Sequence, residues 1–156
     1  MSINKLITYK TQKFISINVN NESIICQNQL NYNFHLFEGD KLMCYLMTSK
    51  ARLPVRGSVN STGLDLFSAE AAIIEPQELK LLSTDLKLMF PSGTYGRIAP
   101  RSGLPMKNML NVPTDTIDPD YRGVIKIMMM NLDSKKYSVN EGDRIAQLTL
   151  CKNFLS

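Results

Sequence analysis

What most constrains this chain is a series of short apolar runs, each closed by a turn signal before a helix has room to form. The runs at residues 42–47, 63–68, 86–90, 96–99, 124–131 and 144–150 are rich in β-forming side chains. Alternation of period two is visible in Leu86-Lys87-Leu88 and in Ile145-Ala146-Gln147-Leu148-Thr149-Leu150, as a strand with one buried face requires. Between the runs stand Pro91-Ser92-Gly93, Asp118-Pro119-Asp120 and Glu141-Gly142-Asp143, at intervals too short for βαβ crossovers. The pattern predicts an all-β architecture, a barrel or jelly roll, with little helix. Only residues 103–110 leave space for a helical turn or two.

At 156 residues, 44% of them hydrophobic, the chain is long enough for one domain with a self-sufficient core. Such a chain buries roughly 68–70% of its unfolded surface, so neither disulfides nor a structural metal are needed. Cys26, Cys44 and Cys151 are odd in number and widely spaced, and His35 is the only histidine. A secreted disulfide scaffold and a structural zinc site are both disfavoured. The net charge of +4 suits a small anionic ligand, but it is too dispersed to predict direct nucleic-acid binding. No run of 18 apolar residues occurs, and residues 1–13 lack a signal-peptide core. The expectation is a soluble, intracellular protein of the cytoplasm, with the nucleus also compatible.

Residues 1–41, rich in Asn and Gln, read as an N-terminal extension to a domain at 42–156. Within it, Ile24, Asn28 and Phe34-His35-Leu36-Phe37-Glu38-Gly39-Asp40-Lys41-Leu42 match, at constant offset, Ile127, Asn131 and Tyr137-Ser138-Val139-Asn140-Glu141-Gly142-Asp143-Arg144-Ile145. Two explanations stand. Glu-Gly-Asp makes a good hairpin turn wherever glycine supplies a positive φ, so the match can arise by convergence; the other source is a decayed tandem copy.

Four segments carry candidate chemistry. In Gly96-Arg97-Ile98-Ala99-Pro100-Arg101-Ser102-Gly103-Leu104 a strand ends in proline, and a charge, a hydroxyl and a glycine follow. That junction suits phosphate, although a capped helix start with a surface arginine reads the same way. The segment from Asn111 to Gly123 holds Asp115, Asp118, Asp120 and Tyr121 in a polar hairpin, either a general base beside a stacking ring or a plain turn. Asp65 is a lone carboxylate in the apolar strand Gly63-Leu64-Asp65-Leu66-Phe67-Ser68-Ala69, so it must meet an arginine or a metal-bound water. Arg144 and Gln147 punctuate the last apolar strand.

Taken in order, these segments resemble the first four of five motifs of the trimeric dUTP pyrophosphatase (dUTPase) family. The resemblance runs from about residue 41 to residue 150. Its motifs are Gly63-Leu64-Asp65-Leu66-Phe67-Ser68-Ala69, Gly96-Arg97-Ile98-Ala99-Pro100-Arg101-Ser102-Gly103-Leu104, Thr116-Ile117-Asp118-Pro119-Asp120-Tyr121-Arg122-Gly123 and Gly142-Asp143-Arg144-Ile145-Ala146-Gln147-Leu148.

The resemblance implies a distorted jelly-roll fold, a homotrimer with sites between subunits, and hydrolysis of dUTP to dUMP and pyrophosphate with Mg²⁺. It assigns the water-activating base to Asp118 and the deoxyribose-stacking ring to Tyr121. Uracil falls to the backbone of the hairpin through Val112, Asp115, Thr116 and Ile117. Phosphate falls to Arg101, Ser102 and Gly103 with Gln147 nearby, and Asp65 acts through the water shell of Mg²⁺.

Three departures qualify the implication. Pro113 and Asp115 stand where the family has glycines, which predicts weakened uracil recognition. Pro105 follows Gly103-Leu104, a milder change in a helix's first turn. The chain stops at Phe154-Leu155-Ser156 without the family's last strand or its glycine-rich fifth motif, predicting a weakened trimer and impaired catalysis. The alternative implied is a dUTPase-derived binding or regulatory protein that has lost turnover.

Overall fold

A computed structural model describes residues 13–18, 24–27, 41–58, 60–101 and 109–154. Every regular element among them is a strand: β1 (Lys13–Asn18), β2 (Ile24–Gln27), β3 (Lys41–Leu46), β4 (Val55–Arg56), β5 (Leu64–Phe67), β6 (Ala72–Ile74) and β7 (Leu79–Ser83) in the first half. The second half adds β8 (Leu86–Met89), β9 (Thr94–Ala99), β10 (Leu110–Asn111), β11 (Asp115–Ile117), β12 (Lys126–Asn131), β13 (Tyr137–Val139) and β14 (Arg144–Lys152). All six predicted runs contain a strand, and the described residues are all-β as expected. The helical turn anticipated at 103–110 falls mostly outside the described residues, and its last residue, Leu110, opens β10.

The strands form four sheets, in the orders β2-β1-β3-β8, β10-β12-β7, β11-β9-β14-β5-β4 and β13-β6. Every pairing is antiparallel. Strands β1 and β2 come from the stretch read as an extension, and β1 pairs along β3 from Lys13↔Leu46 to Asn18↔Lys41. The internal match between residues 24–42 and 127–145 lies largely outside the described residues.

Alternation determines which side chains enter the core. Leu86 and Leu88 are buried while Lys87 and Met89 are not, and in β12 Ile127 and Met129 point inward from between Lys126 and Met128. Together with Leu42, Leu66, Leu82 and Leu148 they form one apolar cluster. Two polar side chains buried beside it, Asn131 and Thr84, are hydrogen-bonded, as burial demands. Asn131 donates to the carbonyls of Ile74 (3.0 Å) and Lys135 (2.8 Å), and Thr84 donates to Ile125 (2.7 Å).

Two expectations fail in detail. Gly142 does adopt a positive φ of 85°, but the strands flanking its turn do not pair as a hairpin: β13 joins β6, while β14 runs between β9 and β5. The turn docks on the end of β5 instead, through Gly142 N donating to the Ser68 carbonyl (2.7 Å) and Ser68 N donating to that of Asp143 (2.9 Å). Strict alternation in β14 also breaks. A bulge between Arg144 and Ala146 leaves Ile145 and Ala146 both buried.

Candidate functional site

The five-stranded sheet assembles one cluster through its register alone. Asp65 of β5 pairs with Gln147 of β14, and Gln147 pairs on its other side with Ala99 of β9. Arg101 follows two residues beyond Ala99, where Pro100 has ended the strand. Three segments far apart in sequence therefore meet at one end of the sheet.

Asp65, 2% exposed, is the centre of this cluster. Its Oδ1 accepts a hydrogen bond from Arg101 Nε at 2.9 Å, and its Oδ2 lies 3.3 Å from Arg144 Nη1 without a hydrogen bond. A buried carboxylate is tolerated when it is paired in this way. Of the two partners foreseen for Asp65, the structure supplies arginine, and twice. Gly63 runs beside Gln147; a Cβ there would stand 3.0 Å from its Oε1, so a side chain at 63 would crowd the amide. Ser102 and Gly103, the other expected phosphate ligands, lie outside the described residues.

Asp118 and Tyr121 belong to a second cluster. Strand β11 pairs with β9 so that Asp115 faces Ile98 and Ile117 faces Gly96, and Asp118 follows one residue further. The turn after it closes through Tyr121 N donating to the Asp118 carbonyl (3.0 Å). Arg122 braces it, Nη1 donating to the carbonyls of Pro119 (2.7 Å) and Tyr121 (3.0 Å). Asp118 is exposed, and among the described residues its carboxylate has no partner. Tyr121 is 45% exposed, its hydroxyl donating to the Val124 carbonyl at 3.2 Å. The ring folds back over Gly123, where a Cβ would stand only 2.3 Å from the hydroxyl oxygen.

Between β10 and β11, Val112 is buried, while Asp115 and Thr116 are exposed and Ile117 is nearly buried. The Asp115 carboxylate turns onto the backbone, its Oδ1 accepting from Thr116 N at 2.8 Å. One main-chain donor of the hairpin is thereby taken by the side chain that replaces glycine.

The two clusters do not meet within one chain. Asp118 leaves the sheet beyond Gly96, whereas Arg101 leaves it beyond Ala99 at the other end of β9. At about 3.3 Å per residue, the three steps from Gly96 to Ala99 alone amount to roughly 10 Å along the strand, and Arg101 lies two residues further on. The register divides the expected site residues into Asp65, Arg101 and Gln147 at one end and Asp118 and Tyr121 at the other.

One residue that the sequence did not single out, Arg52, also contributes. With Arg144 it places its guanidinium carbon near the centroid of Phe67, at 5.8 Å for Arg52 and 5.9 Å for Arg144, a cation–π arrangement at both. The signal for Arg52 is indirect: its guanidinium occupies the space that a Cβ on Gly142 would need.

No group of three or more His, Cys, Asp or Glu side chains able to hold a metal occurs among the described residues. Among the described residues, Oδ2 of Asp65 is the one buried side-chain atom left without a hydrogen bond. That donor set suits Mg²⁺, which keeps much of its water and is commonly held by one or two carboxylates together with substrate phosphates.

The fold, the motif order and the divided clusters define a nucleotide-binding β protein of the dUTPase type. The dUTPase family profile matches residues 49–154. The chain is 47% identical over 109 residues to the deoxyuridine 5′-triphosphate nucleotidohydrolase of Candida albicans, covering 70% of this chain and 69% of that one. It is 43% identical over 111 residues to that of Mus musculus, covering 71% and 68%. Among solved structures, the dUTPase from phage phi11 of S. aureus superposes with a TM-score of 0.70 at 29% identity, covering 74% of this chain and 92% of that chain. The chain belongs to the dUTPase family.

Proposed function

We propose that this protein hydrolyses dUTP to dUMP and pyrophosphate at a site shared between subunits of a homotrimer. The observation that carries the proposal is the register of β9, which sets Asp118 and Tyr121 at the opposite end of the sheet from Asp65, Arg101 and Gln147. Each half is chemically incomplete, one having an unpartnered carboxylate and the other an arginine on a buried anion. A second copy supplies what the first lacks. Exposed apolar side chains on the outer side of the β10-β12-β7 sheet support self-association: Leu81 faces Met128, both exposed, and exposed Leu79 faces half-buried Met130. The similarity to proteins named deoxyuridine 5′-triphosphate nucleotidohydrolase supports the choice of nucleotide.

The reaction is an in-line displacement on phosphorus, which needs an oriented nucleophile and charge neutralisation more than covalent chemistry. Asp118, exposed and unpaired, accepts a proton from the attacking water. Tyr121 presents its ring to the deoxyribose and leaves no room for a 2′-hydroxyl. Val112, Asp115, Thr116 and Ile117 offer the hairpin backbone to uracil. Arg101 offers its two Nη groups, which have no partner among the described residues, to the phosphates. Ser102 and Gly103, next in sequence, and Gln147 are the other phosphate ligands of this reading. Asp65 would hold Mg²⁺ through water, consistent with its orphaned oxygen and with a phage phi11 dUTPase structure described as coordinating a structural Mg(II) ion. Bound with the triphosphate, Mg²⁺ supplies charge neutralisation on the phosphate oxygens.

We place the protein inside the cell, where nucleoside triphosphates are found. Free thiols at Cys44 and Cys151 agree with a reducing compartment, and no helix among the described residues is long and apolar enough to cross a membrane. The test is pyrophosphate release from dUTP, dTTP, dCTP and UTP, each with Mg²⁺. The proposal expects release from dUTP alone; equal release from all four, or none, would defeat it.

A further inference from the structure

We infer that Arg144 is a positioning residue: its charge, set 3.3 Å from the second oxygen of Asp65, offsets the carboxylate and so preserves the positive charge that Arg101 carries to the triphosphate. The inference rests on the dUTP reading above, and it concerns how this cluster attracts polyphosphate rather than which base it selects.

The argument begins with charge. Arg101 spends its Nε on Asp65 Oδ1, a charge-assisted contact of 2.9 Å with a carboxylate that is 2% exposed. Standing alone, that pair is neutral and would offer a phosphate little attraction. Arg144 Nη1 stands 3.3 Å from the other oxygen, so the three groups together carry a net charge of +1. Arg101 loses only its Nε to the carboxylate, and its two Nη groups form the planar face that matches phosphate oxygens.

Arg144 reaches Asp65 only because β14 bulges. Residues 144 and 147 are an odd number apart, so in a regular strand their side chains would point to opposite faces. The observed register is Phe67↔Arg144, Leu66↔Ala146 and Asp65↔Gln147, with the extra residue absorbed between Arg144 and Ala146. Cross-strand partners share a face, so Asp65, Phe67, Arg144 and Gln147 are gathered on one side. Bulges beside functional sites commonly re-aim a side chain in this way.

The aim of Arg144 is held from behind. Its guanidinium lies 5.9 Å from the centroid of Phe67, and Phe67 is bracketed in turn by Arg52 at 5.8 Å. Arg144 is half exposed, but a buried ring on one side and a buried carboxylate on the other limit where its charge can go.

The experiment measures the affinity of the full-length protein for inorganic tripolyphosphate by calorimetry, a probe with no base or sugar. In parallel, KM and kcat for dUTP are measured for wild type, Arg144→Lys, Arg144→Met, Asp65→Asn and the Asp65→Asn/Arg144→Met pair. Arg144→Met should weaken tripolyphosphate binding roughly tenfold and raise KM by a similar factor while kcat falls by less than about threefold. Arg144→Lys, which keeps the charge, should stay within about threefold of wild type. In the Asp65→Asn background Arg101 is no longer neutralised, so adding Arg144→Met, which still removes one charge, should weaken affinity about threefold rather than tenfold.

That double variant contains no unpaired buried carboxylate, and with Arg144→Lys it keeps the test decisive if Arg144→Met does not fold. The inference is overturned if Arg144→Met binds tripolyphosphate as wild type does. It is equally overturned if Arg144→Lys loses as much as Arg144→Met, or if the loss persists undiminished in the Asp65→Asn background. A wild-type protein that binds tripolyphosphate in this pattern yet leaves dUTP intact would defeat the dUTP reading while sustaining the role of Arg144.

Discussion

Asp65 of β5 and Arg101, 36 positions on and two residues past the end of β9, are joined by a 2.9 Å hydrogen bond from Nε to Oδ1, with β14 lying between the two strands. That bond ties together the end of the sheet proposed to face phosphate and leaves Asp118 and Tyr121 at the other. The division has a direct consequence. Arg101→Ala and Asp118→Asn should each be inactive alone, because each damages every site. Unfolded together and refolded as a mixture, they should recover about a quarter of wild-type activity, since random assembly pairs intact halves in that share of two-subunit sites. Turnover of the mixture is the measurement, and a mixture as inactive as its components would mean that both halves meet within one chain.

Gly123 is small because Tyr121 lies over it. A Cβ there would approach the tyrosine hydroxyl oxygen to 2.3 Å and Cζ to 2.5 Å, and the ring end of a half-exposed side chain is what yields. Gly123→Ala should therefore leave the fold intact, displace the ring and erode discrimination against UTP by roughly tenfold. Ratios of kcat/KM for dUTP and UTP would detect the change; an unaltered ratio would show that Tyr121 does not guard the sugar.

Asp115 accepts the Thr116 N–H within the hairpin assigned to uracil. Replacing Pro113 and Asp115 by glycine restores a donor at 113 and frees the donor at 116. A polar contact that goes unmade costs on the order of 1–3 kcal/mol, so the double variant should bind a non-hydrolysable dUTP analogue about tenfold more tightly. Equal affinities by calorimetry would indicate that the hairpin reaches the base by another path.

Stability should decline in alkali. Burial pushes the Cys44 thiol from 9.0 up to about 12 and raises Tyr45 and Tyr137 in the same direction. The folded state thus holds protons that the unfolded chain releases from about pH 9 upward. The stabilisation is complete below pH 9 and is lost as pH rises toward 12, by up to about 1.4 kcal/mol per pH unit for one such group. Urea unfolding at pH 8 and pH 10 should show the fall in wild type and a smaller one in Cys44→Ala; parallel behaviour of the two would remove Cys44 as the cause.

The longer strands were legible because alternation and turn residues are local signals: Leu86-Lys87-Leu88 and Pro91-Ser92-Gly93 can be read without knowing the partner strand. Short strands such as Leu110–Asn111 and Tyr137–Val139 were not, because their pairing with β12 and β6 is what makes them strands. The same limit applies to the site. Asp65, Arg101, Asp118, Tyr121 and Gln147 were marked by residue type and motif order, and the need of Asp65 for a partner followed from a lone carboxylate in an apolar run. Which arginines meet it, and that Asp118 stands at the far end of β9, depend on register and on the bulge at Arg144, neither of which leaves a trace in composition or spacing.

The central claim is that water activated at Asp118 attacks the α-phosphorus of dUTP, and oxygen tracing tests it most directly. Hydrolysis would be run in ¹⁸O-enriched water with Mg²⁺, and both products analysed by mass spectrometry. The account predicts one solvent oxygen in dUMP and none in pyrophosphate, since the bond broken lies between the bridging oxygen and the α-phosphorus. Label in pyrophosphate with unlabelled dUMP, or no product at all, would contradict it.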